Sequence, residues 1–223
     1  MINYVLPILA VVLGFLFVTV FKLRNKQYMK LLLAFSGAFL LAITVFNLLP
    51  NVFGDYKARY GIFVMVGILL QIFLEFFSKG AEHGHVHIKE ERATFPWLLF
   101  ISLSIHAILE GFPMHHDEHL VWGIVVHKFP IAIILTTFFY ESKMSRASIL
   151  IFLILFAFMT PLGSFLSEQS SFLAAYSNEI SALVIGIFLH ISTTILFESS
   201  EGHKFNITKL LVIISATVLA YFI

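Results

Sequence analysis

Apolar runs of about twenty residues recur along this chain, and a run of that kind has few ways to fold. The hydrocarbon core of a bilayer is about 30 Å thick, and a helix rising 1.5 Å per residue crosses it in roughly 20 residues. Candidate runs lie at about 2–21, 31–50, 60–79, 95–114, 119–140, 147–167, 179–198 and 207–223. They are continuous rather than alternating, which predicts helices and not barrel strands. Of the 223 residues, 59% are hydrophobic and only 12% are charged, with a mean hydropathy of +0.94. A soluble domain carries about 25% charged residues. The expectation is an all-α integral membrane protein: about eight transmembrane helices in one bundle, forming a single domain over 1–223. The first run has no basic segment before it, so 2–21 reads as a retained helix rather than a cleaved signal.

Composition also excludes chemistry. There is no Cys, hence neither a disulfide framework nor a thiolate metal site. A formal net charge of +1 gives no reason to expect a nucleic-acid partner. The expected partners are the lipid bilayer and a small ligand, with a homodimer as the candidate assembly.

Orientation follows from the basic residues, which favour the cytoplasmic loops. With the N-terminus outside, the inward loops hold Lys22, Arg24, Lys26, Lys30, Lys79, Lys89, Arg92, Lys143, Arg146, Lys204 and Lys209, and the outward loops only Lys57 and Arg59. Eight spans then place both termini outside. A multi-pass protein of the plasma (cell inner) membrane is expected.

Against this apolar background the ionisable residues stand out. His106 and Glu110 lie four residues apart in the fourth span, and His127 and Lys128 lie in the fifth. Inserting one such side chain at mid-bilayer costs at least about 2.5 kcal/mol, and intramembrane charges mark functional sites by default. A spacing of four puts the His106 imidazole and the Glu110 carboxylate on one helix face, a half-site for a transition-metal ion. Pro113 and Pro130 follow closely and are expected to bend their helices. Counting from the outer ends, His106, Glu110 and His127 share one depth band. The plainer reading makes each a helix–helix hydrogen-bonding group.

The pattern His106-x-x-x-Glu110-Gly111, then His127-Lys128-x-Pro130, resembles the ZIP (Zrt-, Irt-like) divalent-metal transporters. Asn47-Leu-Leu-Pro50, Thr160-Pro161-Leu-Gly163 and the loop Glu82-His83-Gly-His85-Val-His87 agree with it. The resemblance implies an inverted repeat of helices 1–3 and 6–8 around helices 4 and 5. It also implies a divalent ion, zinc first, moving toward the cytoplasm, with His106, Glu110 and His127 as transport-site ligands. Fe2+, Mn2+, Co2+ and Cd2+ suit the same donors. The chain departs from the family at Ala107, Lys128 and Ile131, so a two-metal centre is not expected. Lys128 is read as a second-cation substitute that compensates Glu110; packing or snorkelling elsewhere is the alternative. Water or Asn47 would complete the ion's shell.

Other groups extend a candidate path. Glu75 ends the third span, His190 lies in the seventh with Thr193 and Thr194 on the next turn, and Glu198, Glu201 and His203 gather at its inner end. For these last three a solvated helix end is the equal alternative. The cytoplasmic His-rich loop at about 80–94, with His83, His85 and His87, would capture metal weakly or be incidental. Outside, His115, His116, Asp117, Glu118 and His119 form either a cation-collecting mouth or a solvated turn. No metalloprotease His-Glu-x-x-His or other protease pattern is present, so an enzyme is not expected. The competing expectation is a membrane haem-binding or metal-binding protein without transport activity, with His106, His127 and His190 as axial candidates.

Overall fold

A computed structural model of the chain describes residues 1–21, 26–55, 57–78, 80, 95–115, 117–142, 144–198 and 207–223. Among these there is no strand. Helix α1 is Ile2–Phe21. Helix α2 is Lys26–Ile43, continued by a π turn, Thr44–Leu48, and one last turn, Leu49–Phe53. Then come α3 (Ala58–Ser78), α4 (Trp97–Gly111, followed by a 3₁₀ turn at Phe112–His115), α5 (Glu118–Glu141) and α6 (Arg146–Gln169). A one-turn helix, Ser171–Ala175, leads to α7 (Ser177–Glu198) and α8 (Ile207–Tyr221).

Seven of these helices are long and apolar enough to cross a membrane, and α8 is a shorter apolar helix of 15 residues. The chain is thus a multi-pass membrane protein by the length and composition of its helices. Its outer surface is apolar: Leu13, Val20, Ile62, Leu69, Phe73, Ile151 and Ile154 are all exposed, as lipid contact allows and water would not.

Prolines and caps shape the helix ends. Pro50 cannot donate to the carbonyl four residues back, and the helix widens into the π turn just before it. Thr44 donates its hydroxyl to the Leu40 carbonyl at 2.7 Å within the same distortion. Pro113, expected to bend the fourth helix, instead ends it: the Phe112 amide donates to the Leu109 carbonyl and the chain tightens into the 3₁₀ turn. Pro130 and Pro161 lie inside α5 and α6. Asp117 caps α5, accepting from the His119 amide at 2.9 Å and the Leu120 amide at 3.2 Å, and Ser145 caps α6.

The closest packing pairs are α3 with α7, α1 with α5, α4 with α6, and α2 with α8; α2 also packs on α5 and α7, α1 on α6, and α3 on α4. Two of these contacts are reciprocal glycine approaches. A Cβ on Gly67 would collide with the Leu183 carbonyl while one on Gly186 would collide with that of Val64; Gly111 and Gly163 stand likewise against the carbonyls of Thr160 and Ile108. Within lipid, close van der Waals contact between backbones is the main force joining helices, and glycine permits it. The second glycine pair locks α4 to α6 one residue from Glu110 and three from Thr160, which sets the spacing of the polar groups described next.

Cross-contacts also sort the helix ends. Asn3 donates to the Met114 carbonyl at 3.1 Å, Tyr4 hydrogen-bonds Glu168, Asn51 donates to Asp117, and Arg59 pairs with Glu179 at 2.5 Å. These tie the starts of α1, α3, α5 and α7 to the ends of α2, α4 and α6. At the other end, Ser102 donates to the Leu74 carbonyl and Lys209 to that of Leu196. Consecutive helices therefore alternate in direction.

Candidate metal centre

Glu110 is the hub of a polar cluster in the bundle interior. Its Oε1 accepts from Lys128 Nζ at 2.5 Å and from Thr160 Oγ1 at 2.6 Å, and its Oε2 lies 3.3 Å from His106 Nε2. The relative exposures are 1% for Glu110, 2% for Lys128 and His127, 3% for His106 and 0% for Thr160. His127 is the outer member: its ring centre is 6.4 Å from that of His106 at an interplanar angle of 78°, and its Nδ1 lies 3.3 Å from Ser36 Oγ.

Local geometry explains each placement. His106 and Glu110 meet because i and i+4 stack along one side of α4. His127 and Lys128 are consecutive, so about 100° of helix rotation separates them. One residue faces α2 and His106; the other crosses to α4 and α6. The Lys128 ammonium also sits 4.5 Å from the Phe156 ring centre, one helical turn before Thr160 on α6. A buried cation is tolerable only when paired and hydrogen-bonded. Here the carboxylate and the aromatic face supply that environment, so Lys128 does not snorkel.

The cluster thus draws on α2, α4, α5 and α6. Ser36, Phe156 and Thr160 are the members that reasoning from sequence missed as site residues. Thr160 belongs to the Thr160-Pro161-Leu-Gly163 segment; its signal is a hydroxyl beside a proline within an apolar run. Ser36 sits among small residues, Ser36-Gly37-Ala38, which mark a close helix contact without naming a partner. Among the described residues no three His, Asp or Glu side chains form a ready metal-holding group. Glu110 directs one oxygen to Lys128 and Thr160, which leaves Oε2 as the face it turns toward His106.

The accessory residues separate into distinct places. Glu75 and His190 form a second pair, Oε2 to Nε2 at 2.7 Å, joining α3 to α7 and only partly buried. Thr193 and Thr194 direct their hydroxyls at carbonyls of their own helix, Leu189 and His190. Asn47 lies in the π turn of α2, half-buried. His115 is exposed, 3.9 Å from Glu168, and His119 is exposed on the first turn of α5. Asp117, grouped by sequence with the outer mouth, is buried and serves as the α5 cap. His83, His85, His87, His116, Glu201, His203 and the side chain of Glu198 lie outside the described residues.

Compared with known protein families and with characterised proteins, the chain gives no match.

Proposed function

We propose that this protein carries divalent transition-metal ions, zinc first, across its membrane toward the cytoplasm, as a member of the ZIP family. The observation that carries the reading is the meeting of His106 and Lys128 on the Glu110 carboxylate, with His127 beside the His106 ring, all four at 3% exposure or less. Four ionisable groups buried together in lipid-spanning helices are costly to keep for packing alone. Their chemistry is imidazole plus carboxylate, which suits Zn2+, Fe2+, Mn2+, Co2+ or Cd2+ and disfavours the hard ions.

In this mechanism a hydrated ion enters from outside and exchanges water for Glu110, His106 and His127. Ser36, at Nδ1 of His127, orients that ring as an outer-shell partner does at metal sites. Thr160 and Lys128 hold the other carboxylate oxygen, so Glu110 is presented at a constant angle. The Lys128 ammonium fills the place of a second cation, and the site takes one ion. With only three protein donors and water the ion is not fully caged, which lets it leave. The bundle then opens inward, with Glu75 and His190 and the loop at about 80–94 on the exit side.

The proposed topology has eight spans, both termini outside, with α1–α3 and α6–α8 as inverted repeats. Three findings support it. Consecutive helices alternate in direction, and Phe46, near the end of α2, packs edge-on against Tyr221 at the end of α8. The four most extensive packing pairs also exchange under a swap of α1 with α6, α2 with α7, α3 with α8 and α4 with α5, whereas α2·α5 and α3·α4 have no counterpart of similar extent. Thus α3·α7 answers α2·α8, and α1·α5 answers α4·α6. Helix α8, about 22 Å long at 1.5 Å per residue, is the short member and spans with local thinning of the bilayer. The plasma membrane and a homodimer complete the proposal.

The test is uptake of radiolabelled zinc into cells or proteoliposomes containing the protein. His106→Ala should abolish it while leaving the protein folded in detergent, and so should Glu110→Gln combined with Lys128→Met, which strands no charge. Uptake by either variant at the wild-type rate overturns the assignment. A second reading draws on Glu110's engagement with Lys128 and Thr160: the cluster is then a polar clasp among α4, α5 and α6, and the wild type shows no uptake at all.

A further inference from the structure

A cavity of about 630 Å3 opens beside the ends of α1 and α5 and the start of α6, well apart from the Glu110 cluster. Its volume falls within the roughly 300–1,000 Å3 usual for small-molecule sites. Its lining combines apolar and polar groups. Phe15, Val18, Ile149 and Leu150 form an apolar part, while Thr19, Tyr140, Glu141 and Arg146 bring polar groups. Thr19 and Tyr140 already share a hydrogen bond at 3.1 Å between α1 and α5. Glu141 is the last residue of α5 and Arg146 the first of α6, so both charges stand at one end of the bundle, where helices of this length bring them to the bilayer surface. The apolar part continues onto exposed Leu150, Ile154 and Val20, the surface that faces acyl chains.

Two opposite charges line this cavity, yet among the described residues neither forms an ion pair with the other or with a third group. A ligand carrying both charges would engage them together. We propose that the cavity is a binding site for one zwitterionic phospholipid with a primary amine, of the phosphatidylethanolamine type. Its phosphate meets the Arg146 guanidinium in a bidentate contact, and its ammonium meets the Glu141 carboxylate. The Tyr140 and Thr19 hydroxyls reach the phosphate or glycerol oxygens, and one acyl chain runs along Phe15, Val18 and Leu150. A choline headgroup has no N–H to donate to Glu141, and a glycerol headgroup offers hydroxyls but no positive charge to offset that carboxylate.

The experiment is native mass spectrometry of the full-length protein, delipidated in detergent and then offered phosphatidylethanolamine, phosphatidylcholine or phosphatidylglycerol with identical acyl chains. One phosphatidylethanolamine should be retained, with at least tenfold preference over the other two. Arg146→Gln should reduce that retention at least tenfold, and Arg146→Lys should restore part of it. Glu141→Gln should abolish the preference for the amine headgroup while still holding a phospholipid. Equal retention of all three lipids by the wild type overturns the proposal, as does unaltered selectivity in folded Glu141→Gln protein. Displacement of the bound lipid by millimolar inorganic phosphate also overturns it, because the site would then read a free anion.

Discussion

At the scale of single residues, the energetics centre on Glu110 and Lys128. Removing one partner of a buried ion pair strands the other and costs about 3–5 kcal/mol, whereas replacing both with uncharged groups of similar size is near neutral. Lys128→Met alone should therefore lower stability by about that amount, and Lys128→Met with Glu110→Gln should recover most of it. A double-mutant cycle of unfolding in detergent measures the coupling; additive losses would mean that the 2.5 Å contact carries no energy. Thr160→Val removes one hydrogen bond to a charged acceptor, worth about 1.5–3 kcal/mol, and should weaken zinc uptake by letting the carboxylate turn. The imidazoles give a pH test of the proposed ligation. An ordinary His titrates near pH 6.5, and only its neutral form binds a metal. Uptake should hold at neutral pH and fall as external acidity protonates the ligands; a flat profile from pH 7.5 to 5 would speak against His ligation.

At the scale of elements, the glycine pairs set how near the helices stand. Gly186 leaves no room for a Cβ against the Val64 carbonyl, and Gly67 faces Leu183 in the same way. Gly186→Leu should force α3 and α7 apart and cost about 1–3 kcal/mol or more, since overpacking a tight contact cannot be relieved by rotating a side chain. Because this seam carries Glu75 and His190, a disulfide cross-link engineered across α3 and α7 should form more slowly in that variant; unchanged cross-linking would show that the seam tolerates bulk. Helix content along the chain was legible from apolar runs, and most helix ends to within two residues, but the ends of α2 and the end of α4 were not. Lys26–Lys30 adds a charged first turn to α2 that hydropathy alone assigns to a loop. Pro113 terminates α4 where a kink was expected, because a tightened i→i−3 turn was available just past Gly111. Both outcomes depend on local hydrogen bonds that a hydropathy window does not see.

At the scale of the whole molecule, the alternation of helix directions makes the proposed topology directly measurable. The chain has no Cys, so single cysteines report without interference. Lys57→Cys should react with a membrane-impermeant reagent added outside, and Ser145→Cys only after the membrane is opened. The reverse pattern would invert the orientation read from the basic residues. Packing also explains why the candidate centre was only half visible beforehand. His106, Glu110, His127 and Lys128 were legible because polar groups are conspicuous within apolar runs. Ser36, Phe156 and Thr160 reach the cluster from α2 and α6, and no spacing rule connects residues so far apart in the chain.

The solvent and the secondary structure were already written in the order of the residues, since about twenty apolar positions in succession leave a backbone no stable state in lipid except a helix. Which oxygen of Glu110 meets Lys128, that Thr160 holds it, and that Glu141 and Arg146, unpaired among the described residues, line one cavity with α1 were settled only when the helices packed. Those are distances between separate segments, and backbone contacts such as Gly111 on Thr160 set them.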